Sequence, residues 1–479
     1  MGSGVLMRYT RLNDLFSSPE RALVSFAGDD ASAGFSSVSI DSRTVQPGAL
    51  FIALIGAAQD GHKYVEAAFK SGAGAAMVAR SRLDDSSLGL EESARKAGAR
   101  LVVVENTLAG LQETAAAYLD GFPSLLKIGI TGSSGKTTTK EIAAAMIGRE
   151  KAVVINPGNL NSETGLPLSV FEVRARHEVG IFEMGMNRRG EIAELAKVLK
   201  PHLALITNIG TSHIGILGSK HNIVEEKKQI FSEFTGNETA LIPEDDEYRD
   251  ALAEGVRGKV VFYGPENLEE LEGVTPLGLA GAEITWEGVS ARFGLPGRHN
   301  LKDALAAAAI ARAVPVSGEA IREGLASVKP LFGRSEILAG DLPGGGKVTV
   351  IRDCYNANPD SAAEAVALCD GLNWQGRRVY VMGSMLELGA ASGEAHKKLG
   401  RELAASKADM VFLYGKETEA AARVMAGGQV PCHYTDTMSI LSRKVAEYVR
   451  GGDLVLLKGS RGCALEQLTG VLIKDGGPF

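Results

Sequence analysis

Short apolar runs alternate along this chain with stretches of helical spacing, and glycine stands at most of the joints. Ala49–Ile55 is an apolar run that ends at Gly56, Tyr64–Ser71 follows at helical spacing, and Ala75–Val78 is apolar again. This predicts strand, helix, strand. A second alternation opens with Leu125–Thr131 and turns through Gly132–Gly135 into the alanine-rich, predicted helix Thr137–Ile147; strand-like runs follow at Val179–Phe182 and Leu203–Thr207. A third contains Val348–Ile351, Val379–Met382, Met410–Tyr414 and Leu454–Leu457, with helical stretches such as Ser361–Leu368 between them. Runs ordered this way predict an α/β protein with mostly parallel sheets. At 479 residues the chain exceeds what one core serves, so three domains are expected, over residues 1–124, 125–333 and 334–479.

Composition narrows the class without naming an activity. Hydrophobic residues make up 45% and charged residues 23%, as in ordinary globular chains. The formal charge of −7 leaves no overall basic field for a long nucleic acid, so any bound phosphate must be met locally. No apolar run approaches the roughly 20 residues that cross a bilayer. The segment Met1–Met7 lacks the basic start and apolar centre of a secretion signal, and the expected location is the cytoplasm. Cys354, Cys369, Cys432 and Cys463 show no CxxC spacing and are expected to be reduced.

Candidate chemistry concentrates in the second alternation. Between its first strand and helix lies Gly132-Ser133-Ser134-Gly135-Lys136-Thr137, followed by Thr138. A glycine-rich turn at a helix start gathers backbone N–H groups and the positive end of the helix dipole, both favourable to a polyphosphate. Lys136 is placed to reach the outer phosphates and the Thr137 hydroxyl to ligate Mg²⁺. The match to the usual phosphate loop is imperfect, since Ile130 stands where the first glycine belongs. Glu183 directly follows a predicted strand and His213 follows another, which puts both on the ligand side of an open sheet; a carboxylate there suits Mg²⁺. Spacing alone leaves His213 structural, and it gives Lys227, in the charged helix start Glu225–Phe231, a solvated face.

Ten ordered motifs change those odds: Asp41–Gly48 with Asp60-Gly-His62; Thr131–Thr139; Gly158–Asn161 with Gly165–Pro167; Glu183–Gly185; Asn208–His213; Gly297–Asn300; Gly333-Arg334; Tyr355–Pro359; Leu386–Gly389; and Lys458–Arg461. On these the chain resembles the Mur ligases of bacterial cell-wall synthesis along nearly its whole length. The resemblance implies an N-terminal α/β domain for a UDP-sugar peptide, a central P-loop ATPase domain and a C-terminal Rossmann-like domain for ATP and an incoming amine. Tyr355–Ser361 and Leu386–Gly389 resemble the branch that adds D-alanyl-D-alanine to UDP-N-acetylmuramoyl-tripeptide, which gives the expected substrates. ATP, two Mg²⁺ ions and a carbamylated Lys227 are the expected cofactors, and a monomer is the expected state.

By the same resemblance Lys136, His213 and Lys227 are catalytic. Gly132, Ser133, Ser134, Gly135, Lys136, Thr137, Thr138, Asn300, Arg334 and Asp353 hold ATP, and Thr137, Glu183, His213 and carbamylated Lys227 hold metal. Asp41, Ser42, Arg43, Asp60 and His62 face the UDP-substrate, and Asn356, Asn358, Leu386 and Glu387 the amine. Asn300 could equally cap the alanine-rich helix Leu301–Ala311, and Asp41–Gly48 could be a plain polar turn. Ser134, Ser162, Ser384 and Arg352 depart from the branch's usual residues. Three other readings stay open: the ligase adding the preceding amino acid, a binding protein on a ligase scaffold, and a folate polyglutamate synthetase.

Overall fold

In this computed structural model residues 10–11, 22–25, 34–56 and 58–474 are described; Met1–Met7, the segment weighed as a signal, lies outside them. Three parallel-rich sheets form where the apolar runs fall. The first orders Ala22–Ser25, Arg100–Val104, Ala75–Ala79, Leu50–Ile52 and Val38–Ser39, parallel except for the antiparallel first strand. The second is wholly parallel, in the order Lys259–Tyr263, Thr239–Pro243, Leu203–Ile206, Leu126–Thr131, Val179–Glu183, Val153–Ile155. The third orders Glu336–Asp341, Lys347–Asp353, Leu454–Lys458, Arg378–Gly383, Met410–Tyr414 and Cys432–Thr435, with only the first strand antiparallel. Parallel strands share one carboxyl edge, and that edge is where such sheets bind ligands.

The first two sheets share a core. Leu50, Ile52 and Met77 pack in the same buried cluster as Phe171, Phe182 and Leu199. The helix Thr107–Asp120 joins them: its Tyr118 ring lies 5.3 Å from Phe171 and its hydroxyl donates to the Val173 carbonyl at 2.8 Å. The third sheet buries separate clusters on its two faces and connects to the second through Gly333, Arg334 and Ser335. Gly333 and Ser335 both have left-handed backbone, φ +66° and +49°.

Two local expectations are corrected. Glu225–Phe231 is no helix start: it closes the helix Lys220–Lys228, which runs into the 3-10 turn Gln229–Phe231. Asn300 is not a cap either, because the helix is Arg298–Ala313 with Gly297 before it, and the Asn300 amide donates to the Pro296 carbonyl at 2.7 Å. An antiparallel sheet of Leu271–Pro276, Ala282–Trp286 and Val289–Phe293 was not expected at all. All four cysteines are free. No described helix is long and apolar enough to cross a membrane.

Candidate active site

The strand Leu126–Thr131 has partners on both sides, so the turn that follows it emerges from the middle of the central sheet. Neither glycine of the turn has room for a side chain. A Cβ on Gly132 would lie 1.8 Å from Thr207 Oγ1, and one on Gly135, at φ +80°, would lie 2.0 Å from Asp303 Oδ1. The next loop braces the turn: Ser133 N donates to Asn208 O at 3.0 Å and Ser134 N to Asn208 Oδ1 at 3.1 Å, while Thr207 Oγ1 donates to Ser134 O at 2.6 Å. Two of the expected phosphate-facing N–H groups are therefore spent inside the protein. The helix Lys136–Ile147 makes its first bond from Thr139 N to Gly135 O, so the N–H groups of Lys136, Thr137 and Thr138 precede it and remain for an anion.

Beside the turn is a buried oxygen pair. Thr137 Oγ1 donates to Glu183 Oε2 at 2.7 Å, and Asn161 Nδ2 donates to Glu183 Oε1 at 2.6 Å. Glu183 is only 2% exposed. Its backbone is gripped by the Asn156 side chain, which accepts from Glu183 N at 2.9 Å and donates to Glu183 O at 3.0 Å. Behind Asn156, the buried Lys140 ammonium donates to its carbonyl at 2.5 Å. Arg334 reaches in from the interdomain joint: Nη2 donates to Thr137 Oγ1 at 3.1 Å, and the guanidinium lies 4.4 Å from the centre of the Tyr355 ring. Hydroxyl and carboxylate oxygens held together suit a hard divalent cation.

On the other side of the turn two amines meet one carbonyl. Lys136 Nζ and Lys227 Nζ donate to Gly132 O at 3.0 and 2.8 Å. Lys227 is 1% exposed, which overturns the solvated face that spacing gave it. Burial, and then the positive charge of Lys136, hold the Lys227 amine well below the ordinary lysine range; Glu226 opposes them. The Glu226 carboxylate is itself engaged by Gly190 N and Ile192 N at 2.8 and 3.1 Å. His213, at φ +62°, has a buried Nδ1 without a hydrogen-bond partner, and Glu387 Oε2 approaches to 3.8 Å. Burial, Lys136 and Lys227 push its imidazole down to about 3, so it is neutral at physiological pH.

The remaining candidates fall into two groups. Thr138, Asn300 and Arg334 line one crevice with Leu295 and Leu331. Asp353 accepts from Lys458 Nζ at 2.8 Å and from Ser335 N at 3.2 Å, and Lys458 also donates to Asn356 O at 3.0 Å. Asn358 donates to Ser212 Oγ at 2.5 Å; Leu386 is exposed beside Glu387, which has left-handed backbone. The second group stands apart in the first domain. Arg43 chelates Asp41 at 2.9 and 2.6 Å and pulls its carboxyl down to about 2, and the Ser42 carbonyl accepts from Ser71 Oγ at 3.2 Å. His62 is buried, with Nδ1 2.6 Å from Asp60 and Nε2 accepting from Ala79 N at 2.9 Å, so it shapes the loop from within. No described hydrogen bond joins this group to the phosphate turn.

Sequence reasoning missed Asn156, Thr207 and Asp303 as parts of the site, and it named Tyr355 and Asp360 only within the Tyr355–Ser361 motif, without a role. Asp303 had a signal, being three residues beyond Asn300 on one helix face.

A phosphate turn, a buried oxygen pair and a lysine whose charged form is disfavoured, set in the second of three α/β domains beside its joint with the third, describe an ATP-using ligase architecture. Family models cover each domain: the Mur ligase family catalytic domain matches residues 35–123, the Mur ligase middle domain residues 130–311, and the Mur ligase glutamate ligase domain residues 333–461. The chain belongs to the Mur ligase family. More particularly, it is 45% identical over 444 residues to UDP-N-acetylmuramoyl-tripeptide--D-alanyl-D-alanine ligase of Treponema pallidum (strain Nichols), covering 92% of this chain and 95% of that one. A crystal structure of MurF from Acinetobacter baumannii superposes with a TM-score of 0.85 at 28% identity, over 98% of this chain and 100% of that one. The MurF ligase of Thermotoga maritima in complex with ADP superposes with a TM-score of 0.77 at 27% identity, over 91% and 96%.

Proposed function

We propose that this chain joins D-alanyl-D-alanine to the terminal carboxylate of UDP-N-acetylmuramoyl-tripeptide with conversion of ATP to ADP and phosphate, a step of peptidoglycan precursor synthesis. The observation that carries the reading is the pair of lysine nitrogens, of Lys136 and Lys227, at the Gly132 carbonyl beside the Thr137–Glu183 pair. The similarity to ligases of that name over nearly the full chain supports the choice of substrates.

A carboxylate does not acylate an amine in water, because its oxygen leaves poorly. Phosphorylation removes that obstacle. The peptide carboxylate oxygen attacks the γ-phosphorus and the bond to the bridging oxygen breaks, which releases ADP and leaves an acyl-phosphate. Lys136 and the helix-start N–H groups stabilise the charge on the transferred group. The dipeptide amine then attacks the acyl carbon, phosphate leaves, and the amine's proton is lost to solvent. In this reading Asn300, Arg334 and Asp353 contact the nucleotide, and Asn356, Asn358, Leu386 and Glu387 face the amine; the approach of Arg334 to Thr137 supports the first group. Asp41, Ser42, Arg43 and Asp60, with His62 behind them, are assigned to the UDP end.

Thr137 and Glu183 supply the oxygen donors for one Mg²⁺. His213, with an unpartnered ring nitrogen, and Lys227 suit a second once the lysine carries a carbamate. Magnesium bound there supplies positive charge against the phosphate oxygens. Lys227 is suited to carbamylation because only an uncharged amine adds to CO₂, and its surroundings disfavour the charged form. Its nitrogen bonds to carbon and one proton leaves. The protein is assigned to the cytoplasm as a monomer, with domain limits near residues 124 and 333. Incubation with ATP, Mg²⁺, UDP-tripeptide and D-alanyl-D-alanine is expected to yield UDP-pentapeptide by mass spectrometry; ATP-dependent ligation of a free amino acid instead of the dipeptide would refute the choice of amine.

A further inference from the structure

The loop Thr207–His213 lies between the phosphate turn and the first turn of the helix Pro359–Gly371 of the third domain, and it is bonded to both. Toward the turn, Gly210 N donates to Ser133 Oγ and Ser212 Oγ donates to Ser133 O, each at 2.8 Å. Toward the third domain, Thr211 N and Thr211 Oγ1 both donate to Asp360 Oδ2, at 2.7 and 2.8 Å, and Asn358 Nδ2 donates to Ser212 Oγ at 2.5 Å. The loop is clamped closely: a Cβ on Gly210 would stand 2.5 Å from Asp360 Oδ2 and 3.2 Å from Ser133 Cβ. Ser133, Ser212 and Asn358 are all buried, where a hydrogen bond is stronger than one in water. Asn358 reaches across from a fixed base, because its Oδ1 caps its own helix at Ser361 N, 2.8 Å away.

We propose that Asp360, with Asn358, is a positioning residue: docking of the third domain is transmitted through Thr211 and Ser212 to the phosphate turn, which sets the turn for nucleotide. Neither residue is bonded to the turn, so their effect must pass through the loop. When the domain swings away, Thr211 and Ser212 lose their fixed partners, and the loop that holds Ser133 and Ser134 gains freedom. The adjoining residue is His213, so the same docking also restrains the backbone that carries the imidazole. The effect on turnover rests on the ligase reading, whereas the effect on nucleotide affinity does not.

Full-length protein tests this with Asp360→Ala, Asp360→Asn, Thr211→Val and Asn358→Ser, the last retaining a helix cap but too short to reach Ser212. ADP affinity by calorimetry is read beside kcat and KM for each substrate. Asp360→Ala is expected to weaken ADP binding roughly ten-fold and to lower kcat roughly ten- to hundred-fold, the range for losing hydrogen bonds to a charged partner, with KM for the UDP-linked substrate unchanged. Asp360→Asn, which keeps an oxygen for both Thr211 donors, recovers most of the loss. Adding Thr211→Val to Asp360→Ala adds no further defect. Thermal melting identifies a variant that fails to fold; if Asp360→Ala does, Thr211→Val and Asn358→Ser carry the test with smaller losses in ADP affinity. Folded variants that bind ADP within about two-fold of the parent, or defects that add in the double variant, overturn the proposal. Altered ADP affinity in a protein whose parent makes no UDP-pentapeptide supports the coupling and refutes the ligase reading instead.

Discussion

Two amines share the Gly132 carbonyl, and their charges are not independent. Lys136 disfavours the charged form of the Lys227 amine, so Lys136→Ala is expected to do two things. It removes the cation facing the transferred phosphoryl group, a loss of at least about a hundred-fold in ATP turnover, and it makes Lys227 easier to protonate. Phosphate-release assays measure the first effect, and labelled bicarbonate followed by NMR measures the second as a smaller carbamate signal. Thermal melting close to the parent's is expected, because Lys136 is only half-buried. Asn161→Ala leaves Glu183 Oε1 buried without its donor; this is expected to destabilise by about 1–3 kcal/mol and to raise the Mg²⁺ concentration needed for half-maximal rate. Lys136, Thr137 and Glu183 were legible because each sits at a fixed offset from a strand end. Lys227 was not, since its neighbours Glu225, Glu226 and Lys228 read as a solvated face and only the resemblance singled it out. Asn156 was invisible because its contacts join segments distant in sequence, which no local pattern encodes, whereas Asp303 had only its helical spacing from Asn300 to mark it.

Elements follow the same division between local and distant information. The buried parallel strands are continuous apolar runs, and Met410–Tyr414 falls as the spacing predicts. The antiparallel sheet was missed because its strands are half-exposed and mixed, as in Ala282–Trp286, whose burial alternates. A signal was present: Glu287 and Gly288, at φ +51° and +72°, form the two-residue turn that joins paired strands. A turn also carries the clearest pH dependence outside the site. Burial alone would raise the Glu238 carboxyl, but the backbone N–H groups of Gly236 and Thr235, at 2.9 and 2.7 Å, with its own N–H and the Thr235 hydroxyl, outweigh it and bring it down to about 2 from an ordinary 4.5. A carboxyl lowered in the fold contributes its stability above about 4.5 and loses it as pH falls toward 2. Glu238→Gln is therefore expected to lower the melting temperature at neutral pH and to flatten its decline across that acid window.

On the scale of the molecule, the three domains are not equally joined. The first and second share one buried apolar core through Tyr118 and Phe171, whereas the third meets the second through polar bonds, a short connection and the partly buried Ile214 and Leu279 at the margin of its own core. The resemblance anticipated three domains, and the alternation of runs placed their sheets; neither revealed this inequality, which depends on side-chain packing between domains. The connection itself has a consequence. Arg334 stands between two left-handed residues, bonded to Thr137 and stacked on Tyr355. Ser335 tolerates its φ of +49° only at some cost, with His299 Nε2 2.9 Å from its hydroxyl. Rotation about such a pivot breaks the stack, the bond and the serine's anchor together, so half-rotated poses have nothing to hold them. Dyes on the second and third domains, watched one molecule at a time, are expected to report two separated transfer efficiencies rather than a continuum, with Ser335→Gly blurring the gap between them.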